Sequence, residues 1–174
     1  FRFPFSNKQK TSAEIITDLY QTIARAAGNS VVIGCNTVSH LAAGIFELQR
    51  IGDDTSGREW ERTRKMGVNS LAYRITQHDN FYVTDPDCVG ITKDVPWELN
   101  KQWLELVSQS GTPLFVSLSP EAVGKKQKSA LKKALQIASQ KQPVAEPLDW
   151  METNCPVRWK LRGKEVEFDW FNQN

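Results

Sequence analysis

The residues best equipped for chemistry are Cys35-Asn36, Arg50 with Asp53-Asp54, Asp85 with Asp87, and Ser117 with Ser119, each near the end of a short apolar run. Taken singly, these are ordinary. Asp53-Asp54-Thr55-Ser56-Gly57 reads as a loop and helix N-cap, and Asp85-Pro86-Asp87 as a turn. Cys35 and Cys88 read as small buried apolar residues, and the serines as turn or cap residues. Jointly they say more. Carboxylates that close two neighbouring parallel strands converge on one pocket, and converging acids beside an arginine suit glycoside hydrolysis or a divalent cation. Ligands rich in hydroxyls need paired acceptors and donors, which Asp and Arg supply. His40 and His78 have no Ser or Cys partner in a recognisable motif, so a hydrolase triad has no support. Cys35, Cys88 and Cys155 form no C-x-x-C pair, so neither a zinc site nor a disulfide framework is expected. No metal and no cofactor is expected.

These residues need elements to hold them. Thr11 and Glu14 form a capping box ahead of Ile15, Leu19 and Ile23, with Ile16 and Tyr20 beside them, and Gly28 ends a helix over Ser12–Ala27. Val31-Val32-Ile33 reads as a short buried strand, and Ile45–Leu48 as an apolar stretch leading into Arg50. A charged helix follows over roughly Gly57–Met66, with Gly67 as its stop, while Val68–Ile75 fits either strand or continued helix. Phe81–Thr84 reads as a strand running into a sharp turn at Asp85-Pro86-Asp87. Pro96 suits the first position of a helix through Trp97, Trp103 and Val107, and Trp97 and Trp103 read as core residues. Pro113–Leu118 is a further strand, and Lys125–Ser139 an amphipathic helix whose lysines form a solvated face. After Pro143 and Pro147, Val157, Trp159 and Leu161 and then Val166, Phe168 and Trp170 alternate around Arg162-Gly163, which reads as a β-hairpin. Strands alternating with helices imply an α/β fold with a parallel sheet, either open and doubly wound or half of a barrel. No G-x-G-x-x-G lies between a strand and a helix, which disfavours a Rossmann fold.

The 174 residues are one domain's worth of chain, short of the ~250 of a closed (β/α)8 barrel. Forty per cent apolar residues, with six Trp and eight Phe, are enough for a core. No stretch approaches the ~18–20 apolar residues of a membrane span, so no membrane partner is expected. Twenty-two Lys+Arg against twenty Asp+Glu leave +2, too balanced to indicate a nucleic-acid partner. The compartment is left undecided, with secretion or periplasmic export both compatible. The chain opens Phe1-Arg2-Phe3-Pro4-Phe5, without an initiator Met, which suggests a start inside a longer protein.

With Asp53-Asp54 and Asp85-Pro86-Asp87 in place, residues of about 30–120 resemble the α-galactosidase (melibiase, raffinose-type) clan of glycoside hydrolases. Cys35 with Gly44 downstream is similar to the Cys-led, Gly-rich loop after the fifth barrel strand, although Asn36-Thr37-Val38-Ser39 stands where that loop has consecutive glycines. Arg50-Ile51-Gly52-Asp53-Asp54-Thr55 resembles the end of the sixth strand, which carries the acid/base Asp. Asp85-Pro86-Asp87 resembles the seventh-strand Asp-Pro-Asp, whose second Asp lines the sugar pocket, and Gly111–Ser117 resembles the eighth strand.

The resemblance implies the C-terminal half of a (β/α)8 TIM barrel over 1–147, followed over 148–174 by the start of a C-terminal β-sandwich domain. It implies a retaining α-galactoside hydrolase with a carbohydrate substrate. Matching a Ser-Asp-x-Thr or Gly-Asp-Asn pattern selects Asp53 as acid/base, whereas counting four residues from Arg50 selects Asp54; Asp53 is preferred, with its pKa raised by a neighbouring carboxylate. Arg50 and Asp87 would hold sugar hydroxyls, with Asn36, Cys35 and Asp85 around them. The family's nucleophile belongs to a Lys-x-Asp motif that is absent ahead of Thr11, so it would lie upstream of Phe1. A half-barrel exposes its inner face, so the missing half or a second copy is expected to cover it. The alternative is a carbohydrate-binding or structural remnant without catalysis.

Overall fold

The computed structural model describes residues 5–171; the opening Phe1-Arg2-Phe3-Pro4 lies outside them. Helix α1 (Ser12–Ala27) begins as its sequence dictates. Thr11 Oγ1 accepts the Glu14 N–H, and the Glu14 carboxylate accepts the Thr11 N–H at 2.7 Å. It packs through Tyr20, Ile16 and Ala24 onto Ala42 and Phe46. The neighbouring stripe is uncovered, with Leu19 55% and Ile23 41% exposed.

Strands β1 (Ile33–Gly34), β2 (Leu48–Arg50) and β3 (Val83–Asp85) form a parallel sheet in chain order, and β4 (Val89–Ile91) pairs in parallel with β5 (Val116–Leu118). At Asp85-Pro86-Asp87, where a sharp turn is expected, the chain passes from β3, paired with β2, to β4, paired with β5, and Asp87 takes a left-handed conformation (φ 71). The parallel pairs lie in two separate small sheets, and no complete barrel forms among the described residues. Val31 is 64% exposed and Ile33 46%, so the strand expected to be buried is instead a two-residue edge with β2 on one side only. Its link to β2 carries a 3-10 turn (Ser39–Ala42) in place of a helix.

Gly67 does not stop a helix. Helix α2 (Trp60–Arg62) runs through a π-helical segment (Thr63–Val68) into α3 (Asn69–Arg74), so Val68–Ile75 is helical. A Cβ on Gly67 would sit 2.9 Å from the Trp103 ring, so glycine is present for close helix approach rather than termination. Helix α4 (Trp97–Gln109) supplies that ring, with Pro96 one residue earlier than expected, at its N-cap. Helix α5 (Lys125–Ala138) buries Leu131 and Ala134 and exposes its lysines.

Strands β7 (Arg158–Leu161) and β8 (Lys164–Glu167) form the expected hairpin, with both turn residues left-handed (Arg162 φ 51, Gly163 φ 80) as a type I′ turn requires. A short β6 (Glu146–Pro147) adds antiparallel to β7. The buried Asp149 carboxylate accepts the Val157 and Arg158 N–H groups at 3.1 Å each, fixing the entry to β7. Trp159, Leu161, Phe168 and Trp170 then share one core with Ile51, Leu71, Val89, Trp103 and Leu106.

Candidate functional site

Parallel register sets the level of the site. Leu48 stands between Ile33 and Val83, and Arg50 lies opposite Asp85, so the ends of β1, β2 and β3 deliver Asn36, Arg50 and Asp85 to one edge of the sheet. Asn36 (φ 55) and Asp87 (φ 71) both occupy the left-handed region, which Asn and Asp tolerate better than other side chains and which is enriched at functional sites.

An ion pair organises this edge. Arg50 Nη1 donates to Asp87 Oδ1 at 3.4 Å, and Nη2 donates to Asn36 Oδ1 at 3.3 Å. The Arg50 Nε–H is buried without an acceptor among the described residues. The other Asp87 oxygen accepts the Thr55 N–H at 2.7 Å, and Thr55 Oγ1 donates to the Cys88 carbonyl at 2.6 Å. The acidic loop is thereby tied to the β3–β4 bend. Two glycines allow the contact: a Cβ on Gly90 would lie 2.0 Å from the Ser56 carbonyl carbon, and one on Gly57 would lie 2.1 Å from the Gly90 oxygen.

The two loop aspartates part ways. One Asp53 oxygen accepts the Asp54 N–H at 2.7 Å and the other accepts Arg62 Nη2 from α2 at 2.5 Å. Arg62, and next the Asp54 N–H, hold the Asp53 carboxyl below its ordinary pKa, which reverses the expectation of a raised value there. Asp54 turns the other way, and its carboxylate, the Asp87 carboxylate and the Cys88 sulfur approach one another within 4.8 Å. This is an Asp, Asp, Cys donor set whose soft sulfur suits a hard cation poorly; burial, reinforced by the Asp87 and Asp54 charges, pushes the Cys88 thiol up to about 11.

Asp85 is buried, and one of its oxygens accepts the Asp87 N–H at 2.8 Å. Burial raises its pKa, and the Asp87 N–H offsets part of the rise. Cys35 is exposed at the end of β1. On the other flank of Asp54 lies a cleft of about 380 Å³ lined by Ser56, Gly57, Arg58, Glu59 and Arg62. His78 is a structural residue, its Nδ1 accepting the Thr84 N–H at 3.0 Å.

Sequence reasoning missed the parts played by Thr55 and Arg62. Thr55 sits inside the quoted loop motif and its hydroxyl was the available signal; Arg62 reaches Asp53 only because α2 folds back over the loop, and no local pattern announces it.

No protein-family model matches the chain. Among solved structures, an α-galactosidase from Thermus thermophilus, in complex with p-nitrophenyl α-D-galactopyranoside, superposes with a TM-score of 0.54 over 87% of this chain, at 18% sequence identity. The match covers 32% of that enzyme, so the chain spans about a third of its length. At this identity the likeness is one of fold. The chain is a mixed helix-and-strand structure whose fold resembles part of that α-galactosidase.

Proposed function

We propose that this chain is the C-terminal half of a (β/α)8 barrel from a retaining hydrolase of α-galactosides, with 1–147 as the barrel part and 148–174 opening the following β unit. The observation that carries the reading is the convergence of Asp54, Asp87, Arg50 and Asn36 at the ends of successive parallel strands, where barrel enzymes place their chemistry. The aryl α-galactoside held by the structurally similar enzyme is in keeping with it.

On this reading Asp54, rather than Asp53, is the acid/base. Asp53 is committed to Arg62 as a carboxylate, whereas Asp54 faces the Asp87 side and is four residues from Arg50. Asp54 donates its proton to the glycosidic oxygen as the leaving group departs, then removes a proton from the incoming water. The nucleophile comes from the other half of the barrel and stands ~5–5.5 Å from the acid/base, forming the covalent glycosyl-enzyme between the two steps. Arg50 and Asp87 hold sugar hydroxyls with Asn36 beside them, and Cys35 lies at the rim. Asp85 works on Asp87 by holding its N–H. The exposed Leu19 and Ile23 of α1, the exposed Ile33, and the single neighbour of β1 and of β5 among the described residues fit a surface that the other half covers.

The test is Asp54→Asn against Asp53→Asn in the full-length protein. Asp54→Asn should abolish turnover of alkyl α-galactosides, and with an activated aryl substrate and azide it should release α-galactosyl azide, the retained product. Unimpaired turnover by Asp54→Asn sinks the assignment; sugar binding without turnover in the unsubstituted protein indicates a remnant.

A further inference from the structure

We infer, resting on the reading of Asp54 as acid/base, that Asp53 and Arg62 form a positioning clamp that fixes the loop at the root of the Asp54 side chain. The geometry is specific to neighbouring carboxylates with opposite duties. One Asp53 oxygen holds the backbone N–H of Asp54, which fixes the loop at the root of the Asp54 side chain, and the other is held by Arg62. Arg62 is itself anchored: its helix begins at Trp60, whose indole N–H donates to the Trp170 carbonyl at 2.7 Å, and Trp170 is fully buried in the core that the hairpin completes. A continuous set of contacts therefore runs from the end of the hairpin through α2 to the backbone of the acid. Thr55, the next residue, is fixed independently by Asp87. Asp54 thus sits between two tethered points, with its side chain left to act.

The measurement is kcat and KM, taken separately, on an alkyl α-galactoside for full-length Asp53→Asn, Arg62→Gln and Arg62→Lys. Asp53→Asn and Arg62→Gln, which break the ion pair, should lower kcat about tenfold with KM little changed, because they loosen the geometry of the acid, and the loss should shrink on an activated aryl galactoside that needs no proton. Arg62→Lys, which keeps the ion pair, should recover most of the loss seen with Gln. The pair is about half exposed (Arg62 47%, Asp53 45%), so these variants should fold, and circular dichroism checks this; should Arg62→Gln be unfolded, Asp53→Asn and Arg62→Lys still decide. A kcat within about twofold of the unsubstituted protein in Asp53→Asn and Arg62→Gln overturns the clamp while leaving the acid/base assignment standing. An unsubstituted protein without turnover, or an active Asp54→Asn, overturns the assignment and the clamp with it.

Discussion

Gly90→Ala places a methyl group where the fold has no room. The new Cβ would lie 2.0 Å from the Ser56 carbonyl carbon, 2.1 Å from its oxygen and 2.3 Å from the Gly57 nitrogen, all backbone atoms, whereas ordinary contacts begin at 3.4 Å. Rotamer changes cannot relieve this, so the acidic loop must retreat from β4 by more than an ångström. Thr55 moves with it, and its N–H···Asp87 bond of 2.7 Å and its hydroxyl bond of 2.6 Å to the Cys88 carbonyl pass out of range. Overpacking of ~1–3 kcal/mol and the loss of a charge-assisted hydrogen bond of ~1.5–3 kcal/mol, partly alternative to one another, give a destabilisation of about 3 kcal/mol. For a chain of this size that lowers Tm by roughly 6–12 °C. Thermal unfolding followed by tryptophan fluorescence reads the shift, and on the proposed function the variant also loses turnover because Asp54 and Asp87 separate. A Tm within about 2 °C of the unsubstituted protein would show that the loop does not rest on β4 and refute the reasoning.

Two further outcomes follow from burial. Asp85 has a folded-state pKa above its unfolded value, so its ionisation costs stability progressively as pH rises from the unfolded pKa, about 3.9, through the folded one, and the cost is complete above that. Asp85→Asn keeps an acceptor for the Asp87 N–H, so urea unfolding should show it more stable than the unsubstituted protein at pH 7, with the advantage shrinking as the pH is lowered; a constant difference across pH contradicts the assignment. Burial pushes the Cys88 and Cys155 thiols up to about 11, while Cys35 is exposed. A disulfide-exchange reagent should modify Cys35 promptly and the other two only in denaturant, and prompt reaction at Cys88 would show that the floor of the site is open.

What the sequence alone determined is local. The capping box and Gly28 bound α1, the Arg162-Gly163 turn makes the hairpin, and the lysines of α5 stay in water, because each depends on residues a few positions apart. Which residues gather as a site was also legible, since apolar runs ending in Asn36, Arg50 and Asp85 need only be parallel strands to converge. The roles within the site were not. Asp53 and Asp54 are adjacent and chemically identical, and only the distant positions of Arg62 and of Asp87 with Cys88 separate the carboxylate paired with Arg62 from the one beside Asp87 and Cys88. Gly67 read as a helix stop because nothing nearby says otherwise, and the reason for it, the Trp103 ring, lies on another helix. Asp85-Pro86-Asp87 likewise has the composition of a turn, but what it joins, a strand paired with β2 to a strand paired with β5, is set by partners distant in sequence. Local propensity chooses elements; the choice between two equivalent acids, or between a stop and a close approach, rests with whatever the fold brings alongside.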